Sequence, residues 1–174
     1  DGSCLSWRHA VHFTRFLDLL HALQQHQVDY VLIGGVALNL HGIVRTTEDI
    51  DVFVRPEAEN IARLQQALRS LWDDPDIDQI TAAELAGEYP IIRYGPPGET
   101  FVIDVLSRLG TAFRFEDIAA ETVQYAGIQV RVATPAMLYR MKRDTLRPIN
   151  RADAAALRRR FLLGDEDDAH PEIP

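Results

Sequence analysis

The sequence predicts an α/β (α+β) protein: a mixed β-sheet flanked by helices, followed by a small C-terminal helical unit. Three observations predict it. Short apolar runs bounded by turn residues alternate along the chain with segments whose apolar positions recur every three to four residues. Two pairs of strand-like runs are joined by the turn sequences Gly95-Pro96-Pro97-Gly98 and Ala126-Gly127, so hairpins sit beside strands that are linked through helices. Beyond residue 133 the strand pattern stops and two helical stretches follow.

Each element has its own signal. Over 8–26, Val11, Phe13, Phe16, Leu19, Leu20 and Leu23 form the apolar stripe of an amphipathic helix. Residues 29–33 read as a buried strand running into Gly34-Gly35, and 36–42 as a short helix stopped by Gly42. Residues 50–54 form a second strand. Pro56 then opens a helix marked by Ile61, Leu64, Leu68 and Leu71. Residues 73–78 are loop, and 89–94 with 100–106 form a strand pair. A short helix near 115–120 precedes a hairpin of 122–125 and 128–132. Thr134 caps a helix with Pro135 in its first turn, and a last helix spans 150–163 up to Gly164. Trp7 and Trp72, among apolar helical neighbours, are read as core. The organisation is a core over 1–133, a helical unit over 134–164 and an acidic, disordered tail over 165–174.

Composition narrows the function classes. The 174 residues are 47% apolar and 25% charged, enough for a sizeable core and unlike a disordered or fibrous chain. No apolar run approaches the roughly 18 residues of a membrane span, and no secretory signal is seen. Cys4 is the single cysteine, which excludes an internal disulfide framework and a cysteine-based zinc site and suits a reducing cytoplasm. The net charge of −8 is unevenly spread: residues 140–160 hold eight basic side chains against Asp144 and Asp153, between an acidic body and an acidic tail. Clustered basic charge keeps a polyanionic substrate open. Arg158-Arg159-Arg160 cannot share one helix face and is read as solvated surface.

The chemistry lies in three features taken together. Glycines at 34 and 35, where a strand meets a helix, let backbone N–H groups approach an anion. Alternation sends Asp49 and Asp51 to one face of their strand while Ile50 and Val52 point into the core. Paired carboxylates repel unless a cation or donor lies between them, and oxygen ligands on a rigid strand suit Mg²⁺. Asp104, embedded in Phe101-Val102-Ile103-Asp104-Val105-Leu106, needs a partner. If its strand lies beside 50–54, three carboxylates can hold two divalent ions and clamp a phosphoryl transfer. Each feature alone also has a plain structural reading: a tight turn, a solvated strand edge, a salt bridge to an arginine.

The pattern Gly34-Gly35-x-Ala37-Leu38-x-x-His41-Gly42-x-x-Arg45-x-Thr47-x-Asp49-Ile50-Asp51, followed by Ile103-Asp104-Val105-Leu106, resembles the DNA polymerase β nucleotidyltransferase superfamily. Its long form, with His41-Gly42 and Arg45-x-Thr47 before the Asp-x-Asp, resembles the bacterial AbiEii-type toxins, and Lys142, Arg147 and Asp153 resemble that group's C-terminal motif. Ile149 and Asn150 depart from the Lys-Asp usual there. The resemblance covers roughly 29–163. It implies transfer of a nucleoside monophosphate from an NTP with release of pyrophosphate. Asp49, Asp51 and Asp104 would be the catalytic metal ligands for Mg²⁺, or Mn²⁺ as the alternative, with Asp104 helping to activate the acceptor hydroxyl. Gly34 and Gly35 would present backbone to the triphosphate. The acceptor it suggests is RNA, such as a tRNA 3′ end, and a cognate antitoxin is the implied protein partner.

Other residues keep two readings. Arg45 is either a phosphate ligand or a bridge to Glu48 or another acid. Lys142, the single lysine, either binds phosphate or bridges to Asp153 or Asp144. Arg147 and Asp153 serve either the nucleotide site or the helix pair. Thr47 orders its turn and His41 is structural. A small-molecule or protein nucleotidyltransferase, or a catalytically silent antitoxin of the same fold, are the competing functions.

Overall fold

A computed structural model describes residues 13–88, 90–143 and 148–164, with only the backbone of residue 13 and of 148–150. Trp7, Val11, Asp144, Arg147 and the acidic tail over 165–174 lie outside the described residues, as do the side chains of Ile149 and Asn150.

Helix α1 (Phe13–Gln25) buries Phe16, Leu19, Leu20 and Leu23, the stripe its periodicity predicts. Strand β1 (Tyr30–Ile33) is buried at all four positions. Helix α2 (Gly34–Leu40) begins at the first glycine, two residues before the apolar pattern suggests, because Gly34 takes φ +70° and turns the chain directly off the strand. Strand β2 (Asp49–Val54) leads to α3 (Ala58–Arg69). Pro56 does not open that helix: its cap is Glu57, and the proline stands in the extended approach.

The segment read as loop holds a 3-10 turn, Pro75–Gln79, whose first free N–H donates to Asp74 (3.1 Å). Helix α4 (Ala82–Ala86), not predicted, follows; the Thr81 hydroxyl accepts from Glu84 N (3.2 Å) at its start. Next come β3 (Ile91–Tyr94), β4 (Val102–Leu106), and a two-residue pair, β5 (Arg108–Leu109) with β6 (Phe113–Arg114). The helix predicted near 115 is a single 3-10 turn, Phe115–Asp117. Strands β7 (Ala120–Tyr125) and β8 (Ile128–Ala133) close through Ala126 and Gly127, both at positive φ, as a two-residue hairpin requires. Helix α5 (Pro135–Lys142) is capped by the Thr134 hydroxyl, and α6 (Pro148–Phe161) is the last element described.

The six-stranded sheet runs β3-β4-β2-β1-β8-β7. β1 is antiparallel to β2 and parallel to β8. β2 is parallel to β4, while β3–β4 and β7–β8 are antiparallel hairpins. Ile50, Val52 and Val54 alternate with Asp49, Asp51 and Phe53, and the first set joins Ile103, Val105, Leu64 and Leu68 in the core. Each large apolar side chain fully buried there contributes about 1.5–3 kcal/mol. α1 packs on α3 and β8, and α2 packs on β2 and α5. Met137, Leu138, Ala154 and Leu157 carry the same core into α5 and α6.

The end of α6 is fastened to α2. Arg160 Nε donates to the His41 carbonyl (3.0 Å), and its guanidinium lies over Gly42. His41 Nε2 bonds the Ala133 carbonyl (2.8 Å) and its ring meets Phe161 edge-on at 5.8 Å. The structural reading of His41 is thus supported by its contacts. The solvated reading of 158–160 needs correction. All three arginines are exposed, yet Arg160 caps α2 and Arg158 Nη1 donates to the Tyr139 hydroxyl (3.2 Å). Being on different faces, they reach different partners. Trp72 is core, as read.

Candidate active site

The site is written in the strand register. Ile33 pairs with Asp51, Asp51 with Asp104, and Asp104 with Arg93, giving one row across β1, β2, β4 and β3. Residues paired in this way point to the same face of the sheet. Asp49 lies two residues before Asp51 and shares that face. The three carboxylates that the sequence singles out therefore meet at one place.

Gly34 follows Ile33 and presses its backbone against this row. A Cβ at 34 would overlap Asp51 Oδ2, and the left-handed φ independently favours glycine. Gly35 faces Thr47, where a Cβ would stand 3.0 Å from the threonine Cβ. Thr47 in turn orders the entry to β2: its hydroxyl donates to the Asp49 carbonyl (3.0 Å) and accepts from Asp49 N (3.3 Å). The glycine pair and the aspartate pair are thus locked to each other through one turn.

The electrostatics of the row demand positive charge. Burial raises the Asp51 carboxyl from 3.8 to about 6, helped by the neighbouring charges of Asp104 and Asp49 and opposed by Lys142. Asp104 is also raised, first by burial; Arg93 counters this and Asp49 adds to it. Asp51 and Asp104 share a hydrogen bond. At the rim Arg93 spans the outer pair, with Nη2 3.2 Å from Asp49 Oδ1 and Nη1 3.4 Å from Asp104 Oδ2. Sequence reasoning missed Arg93. Its signal was a charge within Ile91-Ile92-Arg93-Tyr94, the same kind that exposed Asp104.

A second cluster stands behind the row. Asp153 on α6 is buried and receives both Lys142 Nζ (3.1 Å) and Arg45 Nη1 through its Oδ2. The bridging readings of Arg45 and Lys142 are therefore both realised, with Asp153 rather than Glu48 as the acid. Lys142 also acts on Asp51 through its charge, which links the two clusters. The described residues bring together Gly34, Gly35, Asp49, Asp51 and Asp104, and behind them Arg45, Lys142 and Asp153.

Among the described residues, no three His, Cys, Asp or Glu side chains form a ready-made metal cage. Mg²⁺ does not need one, since it keeps several waters and shares its shell with substrate phosphates. The raised Asp51 and the Arg93 guanidinium between Asp49 and Asp104 mark a donor set short of positive charge, which fits a divalent ion.

Residues 17–161 match the family described as nucleotidyl transferase AbiEii toxin, type IV toxin–antitoxin system. The chain belongs to the AbiEii family. It is therefore a nucleotidyltransferase from a toxin–antitoxin context, a class that generally uses an NTP and a divalent metal. Solved structures show the same fold at low identity. The antibiotic-resistance factor ANT(2″)-Ia, in complex with adenylyl-2″-tobramycin, aligns with TM-score 0.55 at 15% identity over 89% of this chain and 91% of its own. A Thermotoga maritima protein provisionally assigned as a nucleotidyltransferase aligns at 0.53 and 13% identity, over 88% and 94%. A nucleotidyltransferase-like antigen of Paracoccidioides brasiliensis aligns at 0.52 and 17% identity, over 85% and 76%. No curated protein sequence matches significantly. Among the described residues of this AbiEii-family protein, no helix is long and apolar enough to cross a membrane.

Proposed function

We propose that this AbiEii-family chain moves a nucleoside monophosphate from an NTP to an RNA hydroxyl, with Asp49, Asp51 and Asp104 as its catalytic metal ligands. The observation that carries the reading is the register row, which sets three carboxylates on one face against the backbone of Gly34. In the reaction the acceptor oxygen bonds to the α-phosphorus, and the bond from that phosphorus to the β-phosphate oxygen breaks, releasing pyrophosphate. Bound Mg²⁺, or Mn²⁺ in its place, supplies charge neutralisation for the phosphates.

The chain's own residues supply position and proton handling. Asp49 and Asp51 are fixed by β2 and by the Thr47 turn. Asp104 is held by β4 beside Asp51 and takes the proton of the acceptor hydroxyl. Gly34 and Gly35 would present backbone N–H groups to the triphosphate at the strand-to-helix turn, beside the Asp51 and Thr47 side chains they pack against. Lys142 and Arg45, aligned by Asp153, bring positive charge to the same side, and Arg147 is a further phosphate-binding candidate.

RNA as acceptor is supported by the arginine-rich helix α6, whose Arg151 and Arg159 are exposed. The protein partner would be a cognate antitoxin. The test is incubation with each α-³²P-labelled NTP, Mg²⁺ and total bacterial RNA, beside an Asp49→Ala/Asp51→Ala control. Label should move to a discrete RNA band with the parent protein only, and with metal only. In parallel reactions with an aminoglycoside or bacterial protein in place of RNA, label on either one alone would replace the RNA acceptor while keeping the transfer.

A further inference from the structure

Arg93 belongs to an edge strand and its side chain is 61% exposed, yet its guanidinium reaches both Asp49 and Asp104. It reaches them from the solvent side, whereas Lys142 acts on Asp51 from the side of α5. The same carboxylates that would hold a divalent ion thus already hold a guanidinium, at 3.2 Å and 3.4 Å. Two cations competing for the same oxygens repel each other, and the mobile, solvent-exposed one yields.

From this contact pair we infer that Arg93 is a displaceable counter-ion, which bridges Asp49 and Asp104 and offsets part of their charge in the metal-free protein, and must leave them for a divalent ion to bind. The inference rests on the proposed reading of the aspartates as metal ligands. Its consequence is a site tuned against metal alone. A divalent ion arriving by itself must displace Arg93 into water. An ion arriving with a triphosphate offers the planar guanidinium fork a phosphate to take up instead. Arg93 is therefore a positioning residue that couples metal binding to nucleotide binding. Arg93 lies opposite Asp104 in the hairpin register, so its backbone stays beside the row while its side chain turns from the carboxylates to a phosphate.

The experiment measures Mn²⁺ binding by electron paramagnetic resonance for the parent protein, Arg93→Gln and Arg93→Lys, without nucleotide. Arg93→Gln should bind Mn²⁺ roughly fivefold to tenfold more tightly, the scale of losing two exposed charge contacts. Arg93→Lys, which keeps the charge but not the fork, should fall between. Calorimetric binding of the four nucleoside 5′-(α,β-methylene)triphosphates at saturating Mn²⁺ supplies the second readout, and the tightest of them should bind Arg93→Gln several-fold more weakly. Equal or weaker Mn²⁺ binding by Arg93→Gln, with the parent binding normally, overturns the role of Arg93 and leaves the aspartates as ligands. Failure of every form to bind Mn²⁺, with or without nucleotide, overturns the metal reading and this inference with it.

Discussion

Asp51 is the residue whose removal should make the protein more stable and inactive at once. Its carboxyl is raised from 3.8 to about 6, chiefly by burial and then by Asp104 and Asp49. A raised acid binds more protons in the folded state than in the unfolded one, so stability falls as pH rises between those two values. The change amounts to about 3 kcal/mol, present in full above pH 6 and absent below pH 4. Asp51→Asn deletes the ionisation and keeps a donor toward Asp104. Urea unfolding without metal should therefore show the variant more stable by about 3 kcal/mol at pH 7.5. The gain should shrink through pH 6 to 4. Mg²⁺ with NTP should reverse the order, because ligand binding stabilises only the parent. A variant no more stable than the parent at pH 7.5, or a gain that persists unchanged at pH 4, would refute the reasoning.

Other perturbations follow from the same geometry. Asp153→Ala leaves Lys142 and Arg45 without their shared acid in a buried setting, so unfolding free energy should drop by about 3 kcal/mol. Gly34→Ala forces a side chain into the left-handed region and against Asp51. A loss of about 1–3 kcal/mol and of nucleotide binding is expected by denaturation and calorimetry. Thr47→Val removes both hydroxyl contacts of the turn before Asp49, with about 1 kcal/mol lost and a lower kcat at unchanged fold by circular dichroism.

Much of the site was legible because its logic is local. Period-two alternation places Asp49 with Asp51, and a charge in an apolar strand marks Asp104; only their adjacency required the parallel β2–β4 register. Arg93 was hidden because its meaning depends on two pairings at once, β3 on β4 and β4 on β2. Helix α4 was missed although Thr81 and Glu84 carry a capping pattern, because five residues are too few for an apolar stripe to show. Pro56 misled for a related reason: its fixed φ suits an extended approach as well as a first helical turn. The arginine run at 158–160 concealed tertiary contacts that no spacing rule contains, since Arg160 meets a carbonyl more than a hundred residues away.

The most direct test of the central claim is anomalous scattering from a crystal grown with Mn²⁺ and a nucleoside 5′-(α,β-methylene)triphosphate. The account predicts manganese peaks bound by the carboxylates of Asp49 and Asp51, with Asp104 beside them. It also predicts phosphates at the Gly34-Gly35 turn and Arg93 turned away from Asp49. Manganese bound elsewhere, or a nucleotide seated with the Arg93 bridge intact and no metal on the three aspartates, would contradict it.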